Sequence, residues 1–204
     1  MRRRTVQKRK LLKRGLILCE GETEEIYFKG LTNDNKYRDT FASISVDIYK
    51  PKNHSPVGLI EEAKDRVKKA KKERNAFDFV WVVFDKDGHQ DLPKAFSDAN
   101  DFKPNINIAF TVICFEYFIL LHFEKTTTSY RRCDDLIGDL KKHIPNYKKA
   151  SNLYEELRDK ISTGVKNSEW SYNQSKAQLL SGRKPFELSY FSNVHQLMNY
   201  LFSL

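Results

Sequence analysis

Two aspartates, Asp85 and Asp87, close the stretch FDFVWVVFDKDGH over residues 77–89. The run before them is rich in aromatic and β-branched residues, so it reads as a buried strand. In extended backbone alternate side chains share a side, and the i, i+2 spacing aims both carboxylates into one volume. Two like charges held that close repel unless a cation sits between them. At the mouth of a sheet the usual partner is a hard divalent ion, Mg²⁺ or Mn²⁺, bound through carboxylate oxygens. Another acid, Glu20, ends a second short apolar run, GLILC at 15–19, and is followed by Gly21, Thr23, Glu24 and Glu25. A DxD pair alone also occurs in aspartyl-nucleophile hydrolases, in nucleotide-sugar transferases and on plain surfaces. The segment DKDGHQD lacks the later ligands of an EF-hand loop. A nucleophile hydrolase would carry its DxD on the first strand, whereas this one follows the third. Glu20 together with Asp85 and Asp87 therefore forms the primary constellation.

The elements that must hold these acids follow from pattern. Strands are expected over 15–19, 44–49, 77–84 and 106–112, the second and fourth by alternation. A helix over about 24–31 takes Thr23 as its N-cap, with Glu24 and Glu25 complementing the helix dipole. A long helix from Pro56 to about residue 75 opens on Ser55 as N-cap; a shorter one covers 92–99. Residues 114–124 (CFEYFILLHFE) are dense enough in apolar groups to be a buried helix or a buried strand. Alternating strands and single helices imply an α/β fold with a mostly parallel sheet flanked by helices. Ligands of such sheets bind at the carboxyl ends of the strands, where Glu20, Asp85 and Asp87 fall. Beyond residue 126 helices are expected at 134–144, 151–163, 169–180 and 193–202, broken at Pro145, Gly164 and residues 182–185. They read as a helical lobe packed on the 15–125 core, the whole forming one structural domain.

The chain has 204 residues, 40% of them hydrophobic, enough for one sizeable core. No apolar run approaches the roughly 20 residues that span a bilayer, and 15–19 is too short for a signal segment. A cytoplasmic protein without a membrane partner is expected. Cys19, Cys114 and Cys133 are odd in number and show no CxxC spacing, so they suggest neither a disulfide framework nor a zinc site. The net charge is +9, yet Arg2, Arg3, Arg4, Lys8, Arg9, Lys10, Lys13 and Arg14 supply eight of those charges. The remaining body is close to neutral. The basic 1–14 segment reads either as a solvated terminus or as an arm that contacts nucleic-acid phosphates. A second cluster, KDRVKKAKKER at 64–74, is partly offset by Asp65 and Glu73.

Three blocks, CEGETEEIYF at 19–28, VWVVFDKDGH at 80–89 and CFEYFILLHFE at 114–124, resemble the RloB family of prokaryotic defence and abortive-infection loci. That family is regarded as having a Toprim-type domain. The EGxTE and DxD patterns also resemble the Toprim domains of the overcoming-lysogenization-defect nucleases. The resemblance implies a Toprim-like core holding one or two Mg²⁺ or Mn²⁺ ions. Glu20 would be a metal ligand or general acid/base and Glu24 the second acid, with Asp85 and Asp87 as metal ligands. Glu116 would be a ligand for a second ion. Fainter echoes of the family lie at residues 146–149 and 193–195. The family usually reads S-N-P-C-F-E before its third block, whereas this chain has Thr111, Val112 and Ile113 there, which changes the turn that aims Glu116.

The resulting expectation is a metal-dependent nuclease acting on DNA or RNA in an anti-phage system, restrained or triggered by a partner ATPase. The alternative is a non-catalytic Toprim-fold subunit that binds nucleic acid or regulates a defence complex. Lys149 is a candidate transition-state cation, and Lys148 and His89 are candidate phosphate contacts; each has a blander reading as a solvated loop or turn residue. His122 and Glu124 read as hydrogen-bonding groups at an element terminus. Trp81 is a core residue, and Trp170 and Tyr172 pack within helices unless they stack on bases. The apolar 197–204 segment docks on its own core or on a partner. No readout module separates DNA from RNA.

Overall fold

The computed structural model describes residues 13–204, and the basic residues 2–10 lie outside them. The chain runs β1 (Lys13–Cys19), α1 (Glu22–Asn33), α2 (Arg38–Phe41), β2 (Ile44–Tyr49), α3 (Pro56–Lys72), β3 (Phe79–Asp85), α4 (Leu92–Asp101), β4 (Asn107–Thr111) and α5 (Glu116–Leu120). The helices α6 (Cys133–Leu140), α7 (Tyr154–Leu157), α8 (Ile161–Leu180) and α9 (Val194–Phe202) follow. The strands pair in the order β2-β1-β3-β4, all parallel. This is the expected α/β, Toprim-like sheet with helices on both faces and further helices after it.

Side-chain alternation divides the core in two. Ile17, Cys19, Trp81, Val83 and Ala109 face α1, α5 and the C-terminal helices. Leu16, Leu18, Val80, Val82, Phe84 and Phe110 face α3 and α4. Both faces of β1 and β3 are buried, as central parallel strands require. Residues 114–124 resolve as helix, α5, and the C-terminal segment docks on its own core through the buried Leu197, Met198 and Leu201. The outer edge of β4 is closed by a side chain acting as a strand: Asn193 Oδ1 accepts from the Phe110 N–H at 2.6 Å, and its Nδ2 donates to the Ile108 carbonyl at 3.0 Å. None of the described helices is long and apolar enough to cross a membrane.

Three expectations are corrected. Lys13 and Arg14 belong to β1 rather than to an arm. Arg14 is engaged within the fold: its guanidinium donates to Asp47 at 2.8 Å and lies 4.1 Å over the Phe77 ring, and its N–H donates to Asp78 at 2.7 Å. Thr23 is not the N-cap of α1. The helix starts two residues earlier, with Gly21 as its N-cap and no side-chain cap, and Thr23 Oγ1 accepts from the Ala150 N–H at 3.2 Å. Gly164 does not break a helix; it lies inside α8, where the His122 imidazole fills the space that a Cβ would need.

His122 explains that glycine. Its Nδ1–H donates to the Phe118 carbonyl at 2.9 Å, leaving Nε2 to accept from Tyr27 O–H at 3.0 Å. Burial pushes its pKa down to about 4, so the ring is neutral and wedged between α1, α5 and α8. A methyl at position 164 would sit 2.6 Å from the ring. Gly164→Ala should therefore cost about 1–3 kcal/mol through overpacking. Gly138→Ala, in α6 with open space around it, should gain about 0.5–1 kcal/mol from helix propensity. Denaturant unfolding of the two variants checks the opposite signs; equal signs would refute the packing argument.

Candidate metal centre

Glu20 follows directly from β1, its N–H donating to the Val83 carbonyl of β3 at 3.0 Å, so its backbone is an extension of the sheet. Its carboxylate then has two partners. Oε2 accepts from the Asp85 N–H at 3.1 Å, and Oε1 meets His89 Nε2 at 2.7 Å. The contact needs the chain to double back after Asp87. Gly88 makes this turn at φ 76°, a left-handed conformation open to glycine without a Cβ penalty, and the His89 N–H closes it on the Lys86 carbonyl at 2.8 Å. His89 is thus a turn residue whose partly exposed ring is held by Glu20.

Asp85 ends β3 opposite Thr111 of β4. Its Oδ1 is buried and has no hydrogen-bond partner among the described residues. Burial first, and then the charges of Glu20, Glu24, Asp87 and Glu116, push its pKa well above the carboxylate range. Asp87 lies past the strand and is exposed, its N–H donating to the Ile113 carbonyl at 3.2 Å. Both aspartates face one cavity, as the i, i+2 spacing requires. Ile113 adopts φ 75°, a value that a proline ring cannot reach. The turn into α5 is therefore built differently from a proline-containing one.

Glu24, in the first turn of α1, is 4% exposed, and its carboxylate folds back against Gly21, where any Cβ would collide with it. Burial, joined by the charges of Glu116 and Glu20 and opposed by Lys149, raises its pKa to about 8. Glu116 is equally buried in the first turn of α5 and accepts from Tyr147 O–H at 2.5 Å. Its other oxygen lies 3.5 Å from Cys133 Sγ. Glu20, Glu24, Asp85, Asp87 and Glu116, joined by Glu22, line one open cavity of about 380 Å³ at the carboxyl ends of the strands. Lys149 lines it as well; Lys148, exposed beside it, does not. Ala150, left-handed at φ 59° and tied to Thr23, sets the backbone beside Lys149.

Two basic residues escaped the sequence reading. Lys50, just past β2, and His54, just before α3, line the same cavity, and Lys50 pairs with Glu22 at 3.7 Å. Their signal was positional, since both occupy the loop after a strand of a parallel sheet. The cysteines also differ from expectation. Cys114 and Cys133 are joined in a disulfide with their Cα atoms 5.8 Å apart, and Cys19 is free and buried. An odd count without CxxC spacing hides such a pair, because α6 brings Cys133 back across the start of α5. Trp81 is buried, Tyr172 packs on Phe191 and His195, and the Trp170 ring lies under the Lys125 ammonium, so these rings act within the fold.

The donor set suits a hard divalent cation: oxygen ligands from several carboxylates, one of them a buried and unsatisfied oxygen of Asp85. A family model described as RloB-like protein matches residues 15–201. No curated protein and no solved structure matches the chain.

The raised acids fix how stability depends on pH. An unfolded Glu24 loses its proton near 4.5, whereas the folded residue keeps it to about 8. Between these values the unfolded state binds fewer protons, so stability falls as pH rises. Each fully retained proton contributes a slope of about 1.4 kcal/mol per pH unit. Urea midpoints of the metal-free protein should decline from pH 5 to 8, and Glu24→Gln should flatten the decline and raise the midpoint at pH 8. A midpoint that rises over this window would contradict the assignment.

Proposed function

Because the chain belongs to the RloB-like family, we propose that it is a divalent-metal-dependent nuclease of Toprim type. It hydrolyses phosphodiesters of DNA or RNA as the effector of a prokaryotic anti-phage or abortive-infection system, under the control of a partner ATPase. The observation that carries the reading is the buried, unpartnered Asp85 Oδ1 in a cavity lined by five other acids. Such a group is stable only when protonated or when facing a cation.

Glu20, Asp85 and Asp87 would be the first ligands to a Mg²⁺ or Mn²⁺ ion, and Glu24 and Glu116 would serve a second. A bound ion of this kind supplies charge neutralisation at the phosphate and a more acidic water. His89 fixes the rotamer of Glu20, and the Asp85 N–H fixes its second oxygen, so the ligand is oriented before any ion arrives. Glu24 titrates near neutrality in the metal-free protein, where a group can both take and return a proton at its Oε atoms. Lys149, Lys50 and the His54 imidazole line the same cavity and would contact the phosphates that flank the scissile one. A cavity in which carboxyl groups outnumber ammonium groups suits a polyanion bound through a metal ion rather than by direct ion pairs.

The test is cleavage of single- and double-stranded DNA and RNA with Mn²⁺, with and without the partner ATPase. Glu20→Gln and Asp85→Asn should each lower the rate by roughly 10²-fold or more, and Lys149→Ala by roughly 10-fold to 10²-fold. Calorimetric titration should find Mn²⁺ binding in the wild type and none in Asp87→Ala. Equal cleavage by wild type, Glu20→Gln and Asp85→Asn removes the proposal. Metal binding without cleavage of any substrate leaves the non-catalytic subunit.

A further inference from the structure

Glu116 of the acidic pocket is also a neighbour of sulfur. Cys114, two residues before Glu116, is buried, and Cys133 at the start of α6 is half-buried on the outer side of the pair. Their bridge links residues 19 apart in sequence. One ligand atom from each of Cys114, Glu116 and Cys133 falls within 4.8 Å of the other two. Two sulfurs on one tetrahedral ion, each at about 2.3 Å, sit roughly 3.8 Å apart, inside that envelope. The oxidised pair offers a divalent cation no thiolate. The reduced pair with Glu116 offers two sulfurs and an oxygen, a ligand set that suits a thiophilic ion and disfavours Mg²⁺ or Mn²⁺. Tyr147 O–H, held on the other oxygen of Glu116, orients the carboxylate from behind.

We propose that reduction of the Cys114–Cys133 bridge opens a second metal site, formed by Cys114, Cys133 and Glu116, that takes a thiophilic divalent cation such as Zn²⁺. A dithiol reductant gives the bridge two electrons and two protons and leaves as its own disulfide. The incoming ion then displaces the two thiol protons, and water fills the fourth tetrahedral position. Because Glu116 also lines the acidic cavity, an ion held here withdraws one oxygen ligand from the hard-metal cluster. That second consequence rests on the nuclease reading; the thiolate site does not. The half-buried Cys133 gives reductant and ion their way in, and the fully buried Cys19 stays outside the exchange.

The experiment uses the full chain, oxidised or reduced with a dithiol that is then removed. Thiol titration in denaturant should count one free thiol before reduction and three after it, from the three cysteines of the chain. Co²⁺, as the probe, should give a thiolate-to-metal charge-transfer band with one equivalent of reduced protein, displaced by Zn²⁺ and absent from oxidised protein. Cys133→Ser should lose the band, and Glu116→Gln should weaken Co²⁺ binding at least tenfold. Mn²⁺ binding, read by electron paramagnetic resonance, should weaken tenfold or more when reduced protein is loaded with Zn²⁺. A reduced wild type with three thiols and no band overturns the site without recourse to any variant. A band that survives in Cys133→Ser overturns it as well. If Mn²⁺ binds no form of the protein while the Co²⁺ band appears, the hard-metal reading fails and the thiolate site stands.

Discussion

Carboxylates gathered out of water repel one another, and this fold places several of them in one cavity. Glu24 and Glu116 are each almost fully buried, Asp85 has an oxygen with no partner, and Glu20 lies beside it. The metal-free protein tolerates this by keeping protons, on Glu24 up to about pH 8 and on Asp85 well above its usual range. It also spends hydrogen bonds on the cluster, from the Asp85 N–H, the Tyr147 O–H and the His89 ring. What stops the acids from simply moving apart is the sheet. Glu20 and Asp85 are backbone extensions of adjacent parallel strands, packed on both faces by apolar side chains. Splaying them would open that close-packed core.

Around the cavity the regular backbone gives way at three points. Gly88, Ile113 and Ala150 all take positive φ, and each borders a group that faces the acids. Gly88 returns His89 to Glu20. The Ile113 carbonyl accepts from the Asp87 N–H, and Ala150 sits between Lys149 and a hydrogen bond to Thr23. For glycine this geometry is easily reached, whereas a residue with a Cβ gives up about 1–2 kcal/mol. Left-handed residues with side chains persist where the surroundings over-determine them, and they concentrate at functional sites. Here they lie at two of the turns that aim pocket residues, which ties the backbone strain to the chemistry the acids support.

The sheet could be read from the sequence to within two residues at each strand end, because the two central strands are continuous apolar runs, the outer two alternate, and the acids after the central runs stand out by contrast. Glu20, Asp85 and Asp87 were legible for that reason. The helices were less so. Gly164 reads as a breaker by propensity, yet its neighbour across the core, His122, needs the missing side chain; nothing local records that contact. Thr23 has the right type for an N-cap but spends its hydroxyl on Ala150, more than a hundred residues away. The Cys114–Cys133 bridge and the place of Lys50 and His54 in the cavity lining depend on how loops return to the site, which neither spacing nor periodicity encodes. Arg14 carries the charge of an arm and the contacts of a strand residue, because Asp47 and Asp78 lie on neighbouring segments.

Opposite charges inside the cavity do not balance. Among the described residues, Lys50 and Lys149 line it together with six carboxyl groups, those of Glu20, Glu22, Glu24, Asp85, Asp87 and Glu116. Lys50 is already paired with Glu22 at 3.7 Å. The surplus of acid adds to burial, and together they hold protons on Glu24 and Asp85. Lys149 works against that shift at Glu24 without cancelling it. The cavity therefore keeps its acids close by withholding their charge rather than by pairing each with a base.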